Sequence, residues 1–182
     1  MPIAPGKKGY PPRVALPNED TVAERLDYRK ISPEATRGLV ELARYVRSGG
    51  LPAGLIELVK VRASQINASA DCLRLHLSRA RRFRVAQAQL DAIARWRDSP
   101  DFSARERAAL AWTEALTPVA DGRAPDSAWE LVRGAFTDRE IVDLSVAIVE
   151  INAWNRLELA FHRPSEQARE PSPPPRADPG PI

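Results

Sequence analysis

The sequence of 182 residues contains a single cysteine and two histidines, and the cysteine lies four positions before the first histidine. If this segment is helical, Cys72 and His76 project from the same face, about one turn apart. A helix N-terminus favours a thiolate, and a neighbouring imidazole can accept the thiol proton, so the two residues could form a reactive nucleophile. The spacing is also compatible with a small buried cysteine beside a hydrogen-bonded histidine.

A longer string around this pair carries a more specific signal. Residues 57–76 read ELVKVRASQINASADCLRLH. This string resembles the core motif Glu-x11-Cys-x2-Cys-x3-His of the carboxymuconolactone decarboxylase and alkylhydroperoxidase D-like superfamily, with Glu57, Ser69, Cys72 and His76 at its four positions. Segments 106–117 and 151–157 also resemble members of this group, and the resemblance covers roughly residues 31–164.

The resemblance implies an all-helical subunit that assembles into dimers, trimers or hexamers, and a peroxidase mechanism. Carried over residue by residue, Cys72 is the thiol that attacks a hydroperoxide substrate and His76 is its general base. Glu57 is then the carboxylate that orients His76 or relays its protons. The resemblance also implies an external thiol or a lipoyl-type compound as the reductant.

Ser69 departs from the motif, because a hydroxyl cannot form a disulfide with the oxidised cysteine. Cys72 would therefore have to be reduced by an external thiol or by Cys72 of another subunit. Ser69 is also the predicted N-cap of the helix, where its hydroxyl could accept a hydrogen bond from the Cys72 amide. The same hydroxyl could donate to the thiolate and lower the pKa of Cys72.

Two other functions fit the same residues. In a cofactor-free enzyme of the carboxymuconolactone decarboxylase type, His76 and Glu57 would transfer protons and Cys72 would be a bystander. Alternatively, the chain could be a non-catalytic, redox-sensing oligomer. Either Lys60 or Arg62, about one helical turn beyond Glu57, could pair with that carboxylate.

The composition argues against several partners and cofactors. Lys and Arg number 27 against 24 Asp and Glu, and a net charge of +3 is too weak to indicate nucleic-acid binding. No apolar run approaches the roughly 18 residues of a membrane span, and the N-terminus does not resemble a signal peptide, so we expect a cytoplasmic protein without membrane contact. With two histidines and one cysteine a metal centre is disfavoured, and because no haem or phosphate-loop motif is present, we expect no cofactor.

Proline marks the limits of the predicted domain. Twelve of the 17 prolines lie between residues 2 and 17 or between residues 164 and 181. Proline lacks an amide donor and favours extended backbone. We therefore expect a mobile N-terminal arm over residues 1–20, a helical domain over 21–163 and a proline-rich tail over 164–182.

The segments between these arms carry helix signals, and the predicted fold class is all-α. Ser32 followed by proline, Ser103 with Glu106, and Thr137 with Glu140 mark three helix starts. The long apolar helix 138–160 is predicted to be a central buried helix or a subunit contact. The other predicted helices cover residues 53–66, 70–82, 86–97 and 127–135.

Overall fold

The computed structural model describes residues 25–118, 122 and 124–161, and these form helices and no strand. The all-α prediction is therefore confirmed for this part of the chain. The predicted arm over 1–20 and tail over 164–182 lie outside the described residues. The α-helices are α1 (Tyr28–Ile31), α2 (Pro33–Ser48), α3 (Ala53–Ile66), α4 (Ala70–Arg82), α5 (Gln87–Ala92), α6 (Ala104–Leu116), α7 (Asp126–Ala135) and α8 (Asp138–Phe161).

The predicted helix over residues 86–97 is wrong in its length. Only α5 is α-helical there, and a 3₁₀ turn over Ile93–Arg95 follows it. Side chains three residues apart are aligned in a 3₁₀ helix, so this turn directs Ile93 and Trp96 to the same side. Both are buried, at 0% and 5% exposure, and their burial accounts for the change from α-helix to 3₁₀ helix at this point.

The two predicted capping boxes are confirmed. The Ser103 hydroxyl accepts from the amide of Glu106, and a Glu106 carboxylate oxygen accepts from the amide of Ser103 at 2.8 Å. Thr137 and Glu140 form the same arrangement before α8. Ser32 also precedes its helix as predicted, but its side chain makes no capping hydrogen bond.

Helix α3 lies at the centre of the bundle, packed against α4, α6 and α8. Leu58, Val59 and Val61 have exposures of 1% or less. Because neighbours cover most of α3, its polar residues Glu57 and Lys60 are buried as well. The fold thus brings ionisable groups into the interior.

One face of helix α8 is buried in the core, and the opposite face is exposed. Leu144, Ile148 and Ile151 are fully buried, whereas Val142 and Val149 are more than half exposed. The predicted burial is therefore confirmed for one side of the helix, and the subunit contact stays a prediction. None of the described helices is long and apolar enough to cross a membrane.

The first and last described residues of the chain, Arg25 and Phe161, lie next to each other. The amide of Arg25 donates to the carbonyl of Phe161 at 3.1 Å, and the rings of Tyr28 and Phe161 lie 5.2 Å apart. These contacts hold the single turn of α1 against the C-terminal end of α8.

Candidate active site

A tight turn between α3 and α4 positions the predicted site residues. Ala68 has a φ of 54°, in the left-handed region that non-glycine residues rarely adopt. The Ser69 amide donates to the carbonyl of Ser64 at 3.0 Å, so the chain reverses immediately after α3. Helix α4 then packs along α3, with Cys72 and His76 both buried.

Glu57 and His76 form a buried hydrogen-bonded pair, as the motif resemblance implies. The Nδ1 atom of His76 lies 2.7 Å from Oε2 of Glu57, and the two residues are 4% and 5% exposed. When the carboxylate is ionised and the imidazole is neutral, Nδ1–H donates to Oε2, which leaves Nε2 as an unprotonated base. Burial lowers the pKa of His76 although Glu57 opposes this change, and the imidazole is therefore uncharged at neutral pH.

The environment of Cys72 is apolar. Its side chain packs with Ala63 and Ile151, and Trp154 lies against this cluster. Burial raises the pKa of the Cys72 thiol to about 11, and the neighbouring Ser69 hydroxyl offsets only part of the increase. Of the two possibilities that the spacing leaves open, these surroundings favour the small buried cysteine over the activated thiolate, because the loss of hydration opposes ionisation. Within the described residues, no hydrogen bond joins Cys72 to His76.

Ser69 occupies the N-cap position of α4, as predicted, but its hydroxyl does not cap the helix. The predicted hydrogen bond from the Cys72 amide is therefore wrong. Instead, Ser69 is 2% exposed and its Oγ atom has no hydrogen-bond partner. Its proximity to the thiol makes it the side chain that most favours ionisation of Cys72.

Lys60 and Arg62 both have partners other than Glu57. The ammonium group of Lys60 lies 2.6 Å from a carboxylate oxygen of Glu150 on α8, and Arg62 pairs with Glu114 on α6. The sequence analysis missed Glu150. Its position between the apolar residues of α8 is the signal that could have indicated a buried charge.

A buried asparagine on α8 was also missed. Asn155 is fully buried, and its Oδ1 atom accepts a hydrogen bond from the Ser64 hydroxyl at 3.2 Å. Its Nδ2 atom has no hydrogen-bond partner. Its segment, residues 151–157, resembles the family, but nothing in the sequence singles out Asn155 within it.

Charged groups from α1 and α8 border the cysteine. The Tyr28 hydroxyl donates to Glu158 at 2.7 Å, and the Arg29 guanidinium lies 5.1 Å from the ring centre of Trp154. Glu158 raises the pKa of the Cys72 thiol and Arg29 lowers it. In the part of the chain that the structure describes, no group of three or more His, Cys, Asp or Glu side chains could hold a metal ion.

The high pKa of Cys72 predicts a slow reaction with iodoacetamide. At pH 7.5 we expect the folded protein to react at least about 100-fold more slowly than the same protein unfolded in urea, because little thiolate is present. The rate in the folded protein should continue to rise above pH 9. The unfolded chain is a matched control because it contains the same single thiol, and equal rates in the two states would contradict the assignment.

Known proteins resemble this chain over the region that contains the site. The Carboxymuconolactone decarboxylase family matches residues 33–115, which include Glu57, Ser69, Cys72 and His76. The uncharacterized protein YdfG of Bacillus subtilis (strain 168) is 30% identical over 140 residues, covering 77% of this chain and 95% of that protein.

Solved structures share the fold. A protein of unknown function from Agrobacterium tumefaciens, for which the name antioxidant defence protein AhpD has been suggested, is 40% identical over 78% of this chain and 97% of that one, with a TM-score of 0.75. The debrominase Bmp8 is 17% identical, covers 76% of this chain and 75% of its own, and has a TM-score of 0.69. A peroxidase-related protein from Ralstonia eutropha JMP134 is 22% identical, with coverages of 76% and 75% and a TM-score of 0.66. At these two lower identities the likeness extends to the fold alone.

Proposed function

Because this chain belongs to the carboxymuconolactone decarboxylase and alkylhydroperoxidase D-like superfamily, we propose that it is a thiol-dependent hydroperoxide reductase. The observation that supports this activity is a buried imidazole, held by Glu57, one helical turn from the single thiol of the chain. The suggested antioxidant role of the relative from Agrobacterium tumefaciens points in the same direction.

In the proposed oxidation step, sulfur attacks the terminal oxygen of the hydroperoxide. His76 accepts the proton of the Cys72 thiol as the S–O bond forms and the O–O bond breaks. The departing alkoxide takes this proton and leaves as an alcohol. Two electrons have then passed from sulfur to the peroxide, and Cys72 is a sulfenic acid.

The raised pKa of Cys72 determines when the proton must move. Since the resting cysteine is a thiol, deprotonation has to accompany the attack on the peroxide. A neutral imidazole suits this role, and the unpartnered Ser69 hydroxyl is available to donate to the developing thiolate.

The proposed reductant is an external thiol or a lipoyl-type dithiol. A first thiol condenses with the sulfenic acid and releases water, and a second thiol regenerates Cys72 and leaves as a disulfide. Cys72 of another subunit could replace the first thiol within a homodimer, trimer or hexamer. The exposed valines of α8, Val142 and Val149, offer an apolar surface for such assembly.

The experiment is the intact mass of the reduced protein after brief exposure to cumene hydroperoxide, with and without a sulfenic-acid trap. We expect one trapped adduct on Cys72, formed at least about 100-fold faster than in the free thiol glutathione, because His76 accepts the thiol proton during the attack on the peroxide. Without the trap, added dithiol should restore the original mass. The Cys72→Ser variant is the control and should stay unmodified, and oxidation no faster than that of glutathione would contradict the proposal.

A second candidate function is cofactor-free proton transfer of the carboxymuconolactone decarboxylase type. The observation that favours it is the high pKa of Cys72 beside a neutral His76, since proton transfer needs the base but not the thiolate. The Cys72→Ala variant separates the two functions. It should retain decarboxylation of 4-carboxymuconolactone if His76 and Glu57 carry the reaction, whereas peroxide reduction should be lost.

A further inference from the structure

The indole of Trp154 borders the approach to Cys72. It lies against the apolar cluster formed by Cys72, Ala63 and Ile151. Ala63 and Ile151 are fully buried and Cys72 is 7% exposed, whereas Trp154 is partly exposed. Among the described side chains of this cluster, the indole is therefore the one that a substrate coming from solvent contacts before it reaches the sulfur.

Residues of α1 and α8 hold this indole in place. The guanidinium of Arg29 lies over the ring, 5.1 Å from its centre, and also pairs with Glu158 at 3.1 Å. Glu158 follows Trp154 by four residues on α8, so the carboxylate lies one helical turn beyond the indole. The Tyr28 hydroxyl donates to the same carboxylate at 2.7 Å, which anchors the turn that carries Arg29. Because these contacts restrict the ring, little conformational entropy remains to be lost when a ligand contacts it.

An indole distinguishes peroxides by the group that is bonded to the O–O unit. The free energy gained from apolar contact grows with the area removed from water, and tryptophan offers a large apolar surface. Hydrogen peroxide has no hydrocarbon group and gains nothing from such a surface. An organic hydroperoxide brings its hydrocarbon group to the ring when its terminal oxygen meets the sulfur, because Trp154 lies against the cluster that contains Cys72.

We propose that Trp154 is a specificity-determining residue of the Cys72 site, whose indole binds the hydrocarbon group of an organic hydroperoxide and favours that substrate over hydrogen peroxide. This inference rests on the proposed function and names the part of the substrate that the site selects. The oxidation step is unchanged: sulfur bonds to the terminal oxygen, the O–O bond breaks, and the alcohol leaves with the thiol proton. Arg29 acts through Trp154, as a positioning residue.

The experiment compares two peroxides in the Trp154→Ala variant of the full chain. Sulfenate trapping at pH 7.5 gives the second-order rate constants for oxidation of Cys72 by cumene hydroperoxide and by hydrogen peroxide. We expect the substitution to lower the constant for cumene hydroperoxide by about 10-fold or more, and that for hydrogen peroxide by less than about twofold. The reaction with hydrogen peroxide thereby reports on the thiol and on His76. Equal changes in both constants, or a faster reaction with cumene hydroperoxide, would overturn the proposal.

A second exposed tryptophan provides the matched control. Trp129 on α7 is 39% exposed, and the guanidinium of Arg133 lies 5.8 Å from its ring centre. Its ring lies against Trp112, which belongs to a different apolar cluster from that of Cys72. The Trp129→Ala variant should therefore leave the ratio of the two rate constants at the parent value. A fall in this ratio equal to that in Trp154→Ala would mean that the effect is not specific to Trp154, and the proposal would be wrong.

The Trp154→Leu variant covers the case in which Trp154→Ala does not fold, since leucine keeps an apolar side chain against Ile151. Its smaller surface should lower the ratio of the two rate constants in the same direction. An unchanged ratio in this variant overturns the proposal equally.

Binding of the product alcohol separates this inference from the proposed function. The chain has four tryptophans, and the Trp154→Leu variant identifies the indole N–H signal of Trp154 in an NMR spectrum. Adding cumyl alcohol, which is formed from cumene hydroperoxide, should shift that signal and leave the Trp129 signal unchanged. If neither peroxide oxidises Cys72 while the alcohol shifts the Trp154 signal, the proposed function fails and the binding site still holds. A Trp154 signal that the alcohol leaves unchanged would overturn the inference.

Discussion

Replacing His76 with glutamine is expected to slow the oxidation of Cys72 by cumene hydroperoxide by about 10²- to 10⁴-fold, the usual contribution of a general base. The reason is the protonated state of the thiol, whose pKa of about 11 leaves little thiolate at neutral pH. Glutamine retains a side-chain amide that can hydrogen-bond Glu57 but cannot accept the thiol proton. The measurement is the rate of sulfenate trapping at pH 7.5 under single-turnover conditions.

The pH profile of the same reaction is the control for this effect. Without the base, the rate in the His76→Gln variant should rise with pH toward the parent rate, because hydroxide increasingly supplies the thiolate. Glu57→Gln should cause a smaller loss, since the imidazole remains. A parent-like rate in the His76→Gln variant at pH 7.5 would show that His76 is not the base.

The single substitution Lys60→Met is expected to lower the free energy of unfolding by about 3–5 kcal/mol, because it leaves the Glu150 carboxylate without its partner in the core. Glu150 is 3% exposed, so water cannot replace the lost ammonium without local rearrangement. Urea denaturation followed by circular dichroism measures the change.

Two variants make this result specific to the broken pair. Lys60→Met/Glu150→Gln should recover much of the lost stability, since no unpaired charge remains. Arg44→Met, which breaks the exposed ion pair between Arg44 and Glu41 on α2, should lower the free energy of unfolding by no more than about 1 kcal/mol. Equal losses for the single and double core variants would contradict this explanation and indicate a packing defect.

The sequence predicted the parts of the site that depend on local spacing. The helices over residues 53–66 and 70–82 were predicted from the residues that bound them, and the contact between Glu57 and His76 is what the resemblance to the 20-residue motif implies. The capping boxes at Ser103 and Thr137 are likewise local and are present in the structure. Such features are recognisable because the interacting residues are near each other in the chain.

The missed features depend on tertiary packing. Glu150 reaches Lys60 only because α8 crosses α3, and no local pattern identifies which lysine a distant glutamate will meet. The raised pKa of Cys72 is not predictable from the sequence, because its burial against Ile151 and Trp154 is also a property of the assembled bundle. The predicted length of the helix over 86–97 was wrong for the same reason. The change from α-helix to 3₁₀ helix occurs where Ile93 and Trp96 are buried, and this burial depends on the assembled bundle.

The hydrogen bond between Arg25 and Phe161 means that the described domain is almost a closed ring of chain. Domains whose termini are adjacent commonly tolerate circular permutation, because a short linker can join the old ends while new ends open in a surface connection. Here a linker between residues 25 and 161 would join α1 covalently to α8, and the exposed Pro125, directly before α7, marks a place for new termini. We therefore expect the helices to pack around Cys72 in the same way when their order in the chain is changed by such a permutation.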